Sequence, residues 1–346
     1  MEASSLLGLP RDALRNLMVG LGIRTVHEHR LFAGLHRRRE TVEEISGLGH
    51  EAARKLREAS PPFSLRLADY RPGADGTGKL LFALPDGAHI EAVAIPRRGD
   101  RACRTLCVSS QVGCAMGCSF CATATLGLTR HLTAAEIVAQ VYCGAAATAD
   151  AGAVARNVVF MGMGEPLHNY AAVRDAIRVI TDPHGLALAP SRVTVSTSGL
   201  ADRIAWLGRD FGGRLQLAVS INAGTDATRH RLMPITARHD LASLYPALAS
   251  YPLPPGRWLL LEYVLLAGVT DTREELTAFA AWARGLHCVI NLIPFNPFPG
   301  TRFSRPAEED VTRSWSFLRE QGCIVTVRKS RGAEVAAACG QLALQP

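Results

Sequence analysis

Three cysteines, Cys114, Cys118 and Cys121, fall close together in the run Gly113-Cys-Ala-Met-Gly-Cys-Ser-Phe-Cys-Ala122. This Cys-x3-Cys-x2-Cys spacing offers three thiolates to one centre and no obvious fourth. A structural zinc site, or a cluster that only carries electrons, takes four protein ligands. A four-iron cluster held by three cysteines leaves one iron open, and an open iron binds something else. The chain holds nine cysteines in all. In a reducing compartment an odd set of this kind favours metal or redox chemistry over a disulfide scaffold. Cys103, Cys143, Cys288 and Cys323 read as ordinary core thiols.

Candidate partners for such an iron lie further along. Glu165, in Gly162-Met-Gly164-Glu-Pro166, is a carboxylate beside glycines that permit close backbone approach, and it suits an ammonium group. Ser196, Ser220, Asn222 and Asn296 are neutral hydrogen-bonding residues suited to a carboxylate, ribose hydroxyls or base edges. Ile221 lies between two of them. An amino acid joined to a nucleoside meets all of these demands. S-adenosylmethionine is such a molecule, and its amino and carboxylate groups can chelate an open iron. Taken singly, each residue also suits a turn or a helix cap.

Strand ends must position these groups. From about residue 105 the pattern alternates. Strands are expected at 105–110, 157–161, 192–197, 214–221, 258–266, 288–293 and 323–328. Helices are expected between most of them, at 133–144, 170–181 and 273–285. Repeated βα units imply a parallel sheet, and about six of them suit an open, incomplete barrel. All the polar groups follow strand ends, which share one face of such a barrel. Thr133-Ala-Ala-Glu136 is a capping box that opens a helix.

The preceding residues differ in character. Residues 1–60 read as helical, with Leu6, Leu7, Leu14, Leu17, Met18 and Leu21 on one apolar face and a capping box at Thr41-Val-Glu-Glu44 opening another helix. Ser46-Gly-Leu-Gly-His50 is either a tight turn or a phosphate contact ahead of a helix at 51–58. His36-Arg-Arg-Arg39 reads as a solvated face or a phosphate contact. Asp75-Gly76 and Asp86-Gly87 predict β-hairpins over 63–98, with a boundary at Pro61-Pro62. Three units follow: 1–60, a helix-hairpin-helix-like RNA-binding domain; 61–104, a β-hairpin adaptor; and 105–346, the barrel with its C-terminal segment. Lys plus Arg number 38 against 31 for Asp plus Glu, an excess that suits a polyanionic partner. No long uncharged apolar run and no secretory pattern occur, so a cytoplasmic protein is expected.

The cysteine loop, with Phe120 before its last Cys, resembles that of radical S-adenosylmethionine enzymes. More closely, the chain is similar to the RlmN/Cfr family of radical RNA methyltransferases. The blocks that carry the likeness are Leu106-Cys-Val-Ser-Ser-Gln-Val-Gly-Cys114, Met161-Gly-Met-Gly-Glu-Pro166, Val195-Ser-Thr-Ser-Gly199, Asn291-Leu-Ile-Pro-Phe-Asn-Pro297, Val327-Arg-Lys-Ser-Arg-Gly332 and Ala338-Cys-Gly-Gln-Leu342. The resemblance runs from about residue 5 to 344, essentially the whole chain. The resemblance implies an α/β fold, a partial (β/α)6 radical-SAM barrel with a small helical N-terminal domain and a β-hairpin adaptor. It implies a [4Fe-4S] cluster on Cys114, Cys118 and Cys121, with S-adenosylmethionine contacted by Gly164, Glu165, Ser196, Ser220, Ile221, Asn222 and Asn296. The family usually shows Ser-Leu-His where this chain has Ser220-Ile-Asn222.

A chemistry follows from the likeness. Cys339 takes a methyl group from one S-adenosylmethionine by nucleophilic attack. A second S-adenosylmethionine, reduced at the cluster, yields a deoxyadenosyl radical that removes hydrogen from that methyl. The methylene radical adds to adenine, and Glu91 removes the ring proton. Cys107 then attacks the bridging sulfur, which releases methyladenosine and leaves a transient disulfide with Cys339 for reduction. The implied partners are 23S rRNA and tRNA, together with an electron donor such as flavodoxin, for a monomeric enzyme. Pro166 points to the C2-methylating branch over the C8-methylating one. By pattern alone, Glu91 is the outward, solvated position of an alternating strand, and Cys107 and Cys339 pass as core. Phe295 and Phe298 suit either stacking on a base or packing of their loop. Two other readings stand beside the leading one: a radical paralogue acting on another RNA position, and a non-catalytic metal-binding RNA module.

Overall fold

The computed structural model describes residues 5–60, 63, 65–97, 100–147 and 154–344. The boundary expected at Pro61-Pro62 lies outside them. Three short helices open the chain: α1 (Arg11–Gly20), α2 (Glu28–Ala33) and α3 (His50–Ala59). Pro10 separates α1 from a turn at Leu6–Gly8, so the expected leucine face is divided between two elements. Leu14 and Met18 are its fully buried members within α1. The helix expected after Thr41 does not form. Glu44 still accepts the Thr41 N–H at 2.7 Å, but Arg39 (φ 61°) and Gly47 (φ 73°) turn the chain on either side. The segment between them runs through turns and bends. His36 departs from the solvated-face reading. It is fully buried and its Nδ1 bonds Tyr142 Oη at 2.8 Å.

One ten-stranded sheet follows. Strands β1 (Arg66–Pro72), β2 (Gly78–Ala83), β3 (His89–Arg97) and β4 (Asp100–Cys107) pair antiparallel in that order, the two expected turns joining β1 to β2 and β2 to β3. A small ribbon of β5 (Gln111–Gly113) and β6 (Leu128–His131) then clamps the cysteine loop. Alternation begins with α4 (Ala134–Ala147), β7 (Val154–Phe160), α5 (Tyr170–Thr181), β8 (Val193–Thr197), α6 (Ala201–Phe211) and β9 (Gln216–Ser220). It continues with α7 (Asp226–Leu232), α8 (Leu241–Ala249), β10 (Leu259–Leu265), α9 (Arg273–Ala283), β11 (Cys288–Pro294), α10 (Glu308–Glu320) and β12 (Val325–Val327). The sheet runs β1-β2-β3-β4-β7-β8-β9-β10-β11-β12, parallel from β4 onward. Six βα crossovers therefore build the expected open barrel, and the hairpin strands extend its sheet.

The elements follow from their residues. In α5, Val173, Ala176, Ile177 and Ile180 recur at helical spacing and are buried. β8 and β9 are short β-branched or apolar runs with buried centres, as strands covered on both faces require. The Thr133 capping box forms reciprocally: Glu136 accepts the Thr133 N–H at 2.8 Å, and Thr133 Oγ1 accepts the Glu136 N–H at 3.2 Å. After β12 the chain crosses back to the hairpins. Arg331 Nη1 donates to Pro96 O at 2.7 Å, the Gly332 N–H donates to Asp75 Oδ2 at 3.1 Å, and the Ala74 N–H donates to Glu334. This crossing places residues 337–344 over the strand ends. Among the described residues no helix is long and apolar enough to cross a membrane.

Candidate active site

A cavity of about 190 Å3 opens at the C-terminal ends of the parallel strands. Cys114, Cys118 and Cys121 form one wall. The loop that carries them is fixed at its base, where the Cys114 N–H donates to Gly127 O at 2.7 Å. Gly113 has φ 76°, and a Cβ there would collide with that same carbonyl, so the ribbon closes only on glycine. The far side of the loop is tied to the chain end. The Ala122 N–H donates to Gly340 O at 2.7 Å, and Thr123 Oγ1 donates to Leu342 O at 2.6 Å. Burial pushes the Cys114 thiol up to about 12, Cys118 well above its ordinary value and Cys121 upward. Binding iron there displaces thiol protons.

Glu165 faces the same cavity and is 3% exposed. Its Oε1 accepts the Leu167 N–H at 2.9 Å and its Oε2 the Ser198 N–H at 2.7 Å. Burial raises its pKa, and these two N–H bonds work against that rise. Gly164 (φ 94°) lies against Gln111, whose Oε1 accepts the Glu165 N–H at 2.8 Å. Ser196, Ser220, Asn222 and Asn296 all line the cavity, as the sequence predicts. Ile221 does not. It is fully buried behind the wall, and its N–H donates to Glu262 O at 3.0 Å. Asn222 stands at φ 61°, a left-handed conformation that Asn tolerates better than most residues, and its Oδ1 accepts the Val264 N–H at 3.0 Å. Asn296 holds the C-terminal crossing, donating from Nδ2 to Cys339 O at 3.2 Å. Phe295 is buried and packs edge-on against Phe298 and Phe303.

Cys107 and Cys339, remote in sequence, line one smaller cavity of about 100 Å3 that adjoins the first. Cys339 is exposed and also faces the first cavity. Cys107, at the end of β4, is buried, and burial pushes its thiol up to about 12. Glu91 overturns the solvated reading. It is 1% exposed, because β3 lies between β2 and β4 and beneath the returning chain end. Glu91 Oε1 is 2.7 Å from Lys79 Nζ, and Oε2 accepts the Leu344 N–H at 3.2 Å.

Three functional candidates escape sequence reading. Arg229, in an Arg-His-Arg run that looks solvated, is fully buried. Its guanidinium donates to Ser198 O (2.7 Å), Thr236 Oγ1 (2.9 Å), His239 O (2.9 Å) and Ile221 O (3.2 Å), binding the ends of β8 and β9 together. Glu262, on β10, and Arg328, just past β12, face each other in the first cavity with Nη1 and Oε1 3.9 Å apart. Their signals are a charged residue within an apolar strand and an Arg at a strand end.

The donor set fits the implied group. Ser198 Oγ and Glu262 Oε2 are buried on this wall without partners, as a polar ligand would leave them. Among the described residues no three His, Cys, Asp or Glu side chains converge tightly enough to hold a single metal ion. Thiolates that bind different irons of one cube stand further apart than ligands of a single ion, so three sulfurs on one wall suit a cluster.

The Radical SAM superfamily profile matches residues 108–280. The dual-specificity RNA methyltransferase RlmN of Sorangium cellulosum is 44% identical over 85% of this chain and 82% of its own length. A probable RNA methyltransferase of the same organism is 47% identical over 86% of this chain and 73% of its own. The crystal structure of a radical SAM methyltransferase from Sphaerobacter thermophilus superposes with a TM-score of 0.89 at 38% identity, covering 98% of this chain and 99% of that one.

Proposed function

Because the chain belongs to the RlmN family of radical S-adenosylmethionine RNA methyltransferases, we propose that it methylates C2 of an adenosine in the peptidyl-transferase region of 23S rRNA and of the adenosine next to the anticodon in some tRNAs. The name dual-specificity, carried by the relatives, supports two RNA substrates. The observation that carries the mechanism is the meeting of Cys107 and Cys339 in one cavity beside the cysteine loop. A methyltransferase that simply displaces methyl from sulfur needs no such pair.

Cys114, Cys118 and Cys121 would hold one [4Fe-4S] cluster, with S-adenosylmethionine bound beside it. Glu165 receives the ammonium group, while Ser196, Ser220, Asn222 and Asn296 meet the carboxylate and the nucleoside. Bound there, the cluster and S-adenosylmethionine supply a transferable methyl group and a hydrogen-abstracting radical, at two S-adenosylmethionine per turnover. Cys339 Sγ accepts the methyl and presents its carbon to adenine C2. Glu91 accepts the ring proton. The Cys107 thiolate attacks the Cys339 sulfur; the S–CH2 bond breaks with its electron pair passing to the methylene carbon, which takes a proton to become the methyl group, and the two cysteines are left as a disulfide that an external thiol reduces. The helical unit of residues 1–60 grips folded RNA through phosphates, so binding weakens with salt, and the target base leaves its stack to reach Cys339. A one-electron donor such as flavodoxin serves a monomeric, cytoplasmic enzyme.

Anaerobic incubation of the reconstituted enzyme with unmodified 23S rRNA and tRNA, followed by nucleoside mass analysis, tests this reading. We expect 2-methyladenosine in both. Absence of methyladenosine from both refutes the function. Persistent methylation by Cys339→Ala refutes the S-methylcysteine route. A second reading, methylation at another RNA position, is favoured by Asn222 standing where the family usually has His. 8-Methyladenosine as the product would establish it.

A further inference from the structure

The register of the hairpin strands places four residues on one face. Val93 pairs with Lys79 on one side and with Cys107 on the other, and Glu91 pairs with Leu81 two residues away. Residues directly opposite in a sheet share a face, and so do residues two apart. Lys79, Glu91, Val93 and Cys107 therefore point to the same side. Val93 and Cys107 line the small cavity onto which Cys339 opens.

Lys79 is 4% exposed, as unusual for lysine as 1% exposure is for Glu91. A carboxylate sealed from water is costly unless a cation is beside it. Here the cation is 2.7 Å from Oε1. Among the described residues, the other oxygen, Oε2, accepts a backbone N–H from Leu344. Leu344 itself sits at φ 57°, a left-handed backbone conformation unfavourable for leucine. That backbone N–H, at 3.2 Å, is the weaker of the two contacts to give up.

We propose that Lys79 is a positioning residue for proton removal: its ammonium holds Glu91 Oε1, so that Oε2 takes the ring proton once the Leu344 amide withdraws. In that step the C2–H bond breaks, its electron pair stays with the ring, and the proton passes to Oε2. No electron moves to or from Lys79. The inference rests on the reading of Glu91 as the base.

The test uses the reconstituted enzyme with unmodified 23S rRNA and follows three quantities: S-methylation of the Cys339 peptide by mass, the protein–RNA adduct, and released methyladenosine. Lys79→Gln should methylate Cys339 and form adduct normally, then release product about 100-fold more slowly, within the range a general base contributes. Adduct should therefore accumulate, as it should in Glu91→Gln. Lys79→Arg, which keeps the charge, should release product within about fivefold of the parent. Product release by Lys79→Gln at the parental rate overturns the proposal, as does equal loss of S-methylation and release. If Lys79→Gln does not fold, Lys79→Arg decides, and adduct accumulation in that variant overturns the proposal. Parental release by Glu91→Gln removes the base reading and this inference with it. A stalled Glu91→Gln beside a fully active Lys79→Gln removes this inference alone.

Discussion

Arg229→Met removes the guanidinium that joins β8 to β9, and opposing terms decide its effect. Three donations are short, to Ser198 O at 2.7 Å, Thr236 Oγ1 at 2.9 Å and His239 O at 2.9 Å. Hydrogen bonds from a charged group contribute about 1.5–3 kcal/mol each, so their loss costs roughly 6 kcal/mol. Against this, burial lowers the Arg229 pKa by two to three units, to about 10. At about 1.4 kcal/mol per unit, holding that cation in the interior costs about 3 kcal/mol, which the substitution relieves. The net expectation is destabilisation by about 3 kcal/mol, read as a lower urea midpoint at unchanged slope. Arg229→Lys keeps the charge and loses the planar fork, so it should fall in between. S-adenosylmethionine should also bind the Met variant more weakly, because Ser198 and Ser220 carry carbonyls that Arg229 holds at 2.7 and 3.4 Å. A net loss below about 1 kcal/mol, with unchanged S-adenosylmethionine affinity, would refute the reasoning that hydrogen bonding outweighs desolvation here.

Glu262→Gln should weaken S-adenosylmethionine binding about tenfold, since the buried, partnerless Oε2 in the cavity would lose one charge-assisted bond to the ligand; equilibrium dialysis measures it. The Cys107 thiol, pushed up to about 12, is mostly protonated at neutral pH and reacts as the thiolate. Adduct resolution should therefore quicken about tenfold per pH unit from pH 7 to 9, and a flat profile from quenched time courses would exclude Cys107 as the attacking group. Thr133→Ala should cost about 1 kcal/mol by removing the cap of α4, with methylation per folded enzyme unchanged in parallel melting and turnover assays.

The strands after residue 105 appear within a few residues of their expected places, and α5 matches its expected span. The Thr133 box opens α4, whereas the similar Thr41 box opens nothing because Arg39 and Gly47 turn the chain too soon. His36 looks solvated beside three arginines, yet Tyr142, on a helix more than a hundred residues later, buries it and burial lowers its pKa to about 4. Ile221 is a ligand contact by resemblance, and its side chain is fully buried.

The amino-acid order by itself determines what short spacing and periodicity can encode. It sets three thiolates in one loop, glycines where the loop must turn, and a strand-helix alternation that brings polar strand ends to one rim. Cys107 and Cys339 can be singled out from sequence by resemblance alone, since each passes as core in its own surroundings. The sheet register and the C-terminal crossing decide that Glu91 is buried on Lys79, that Cys107 meets Cys339, and that Arg229 ties two strand ends. The physical reason is that burial and charge pairing depend on which strands become neighbours. That choice is made by packing the whole sheet, far beyond the few residues over which spacing and periodicity act.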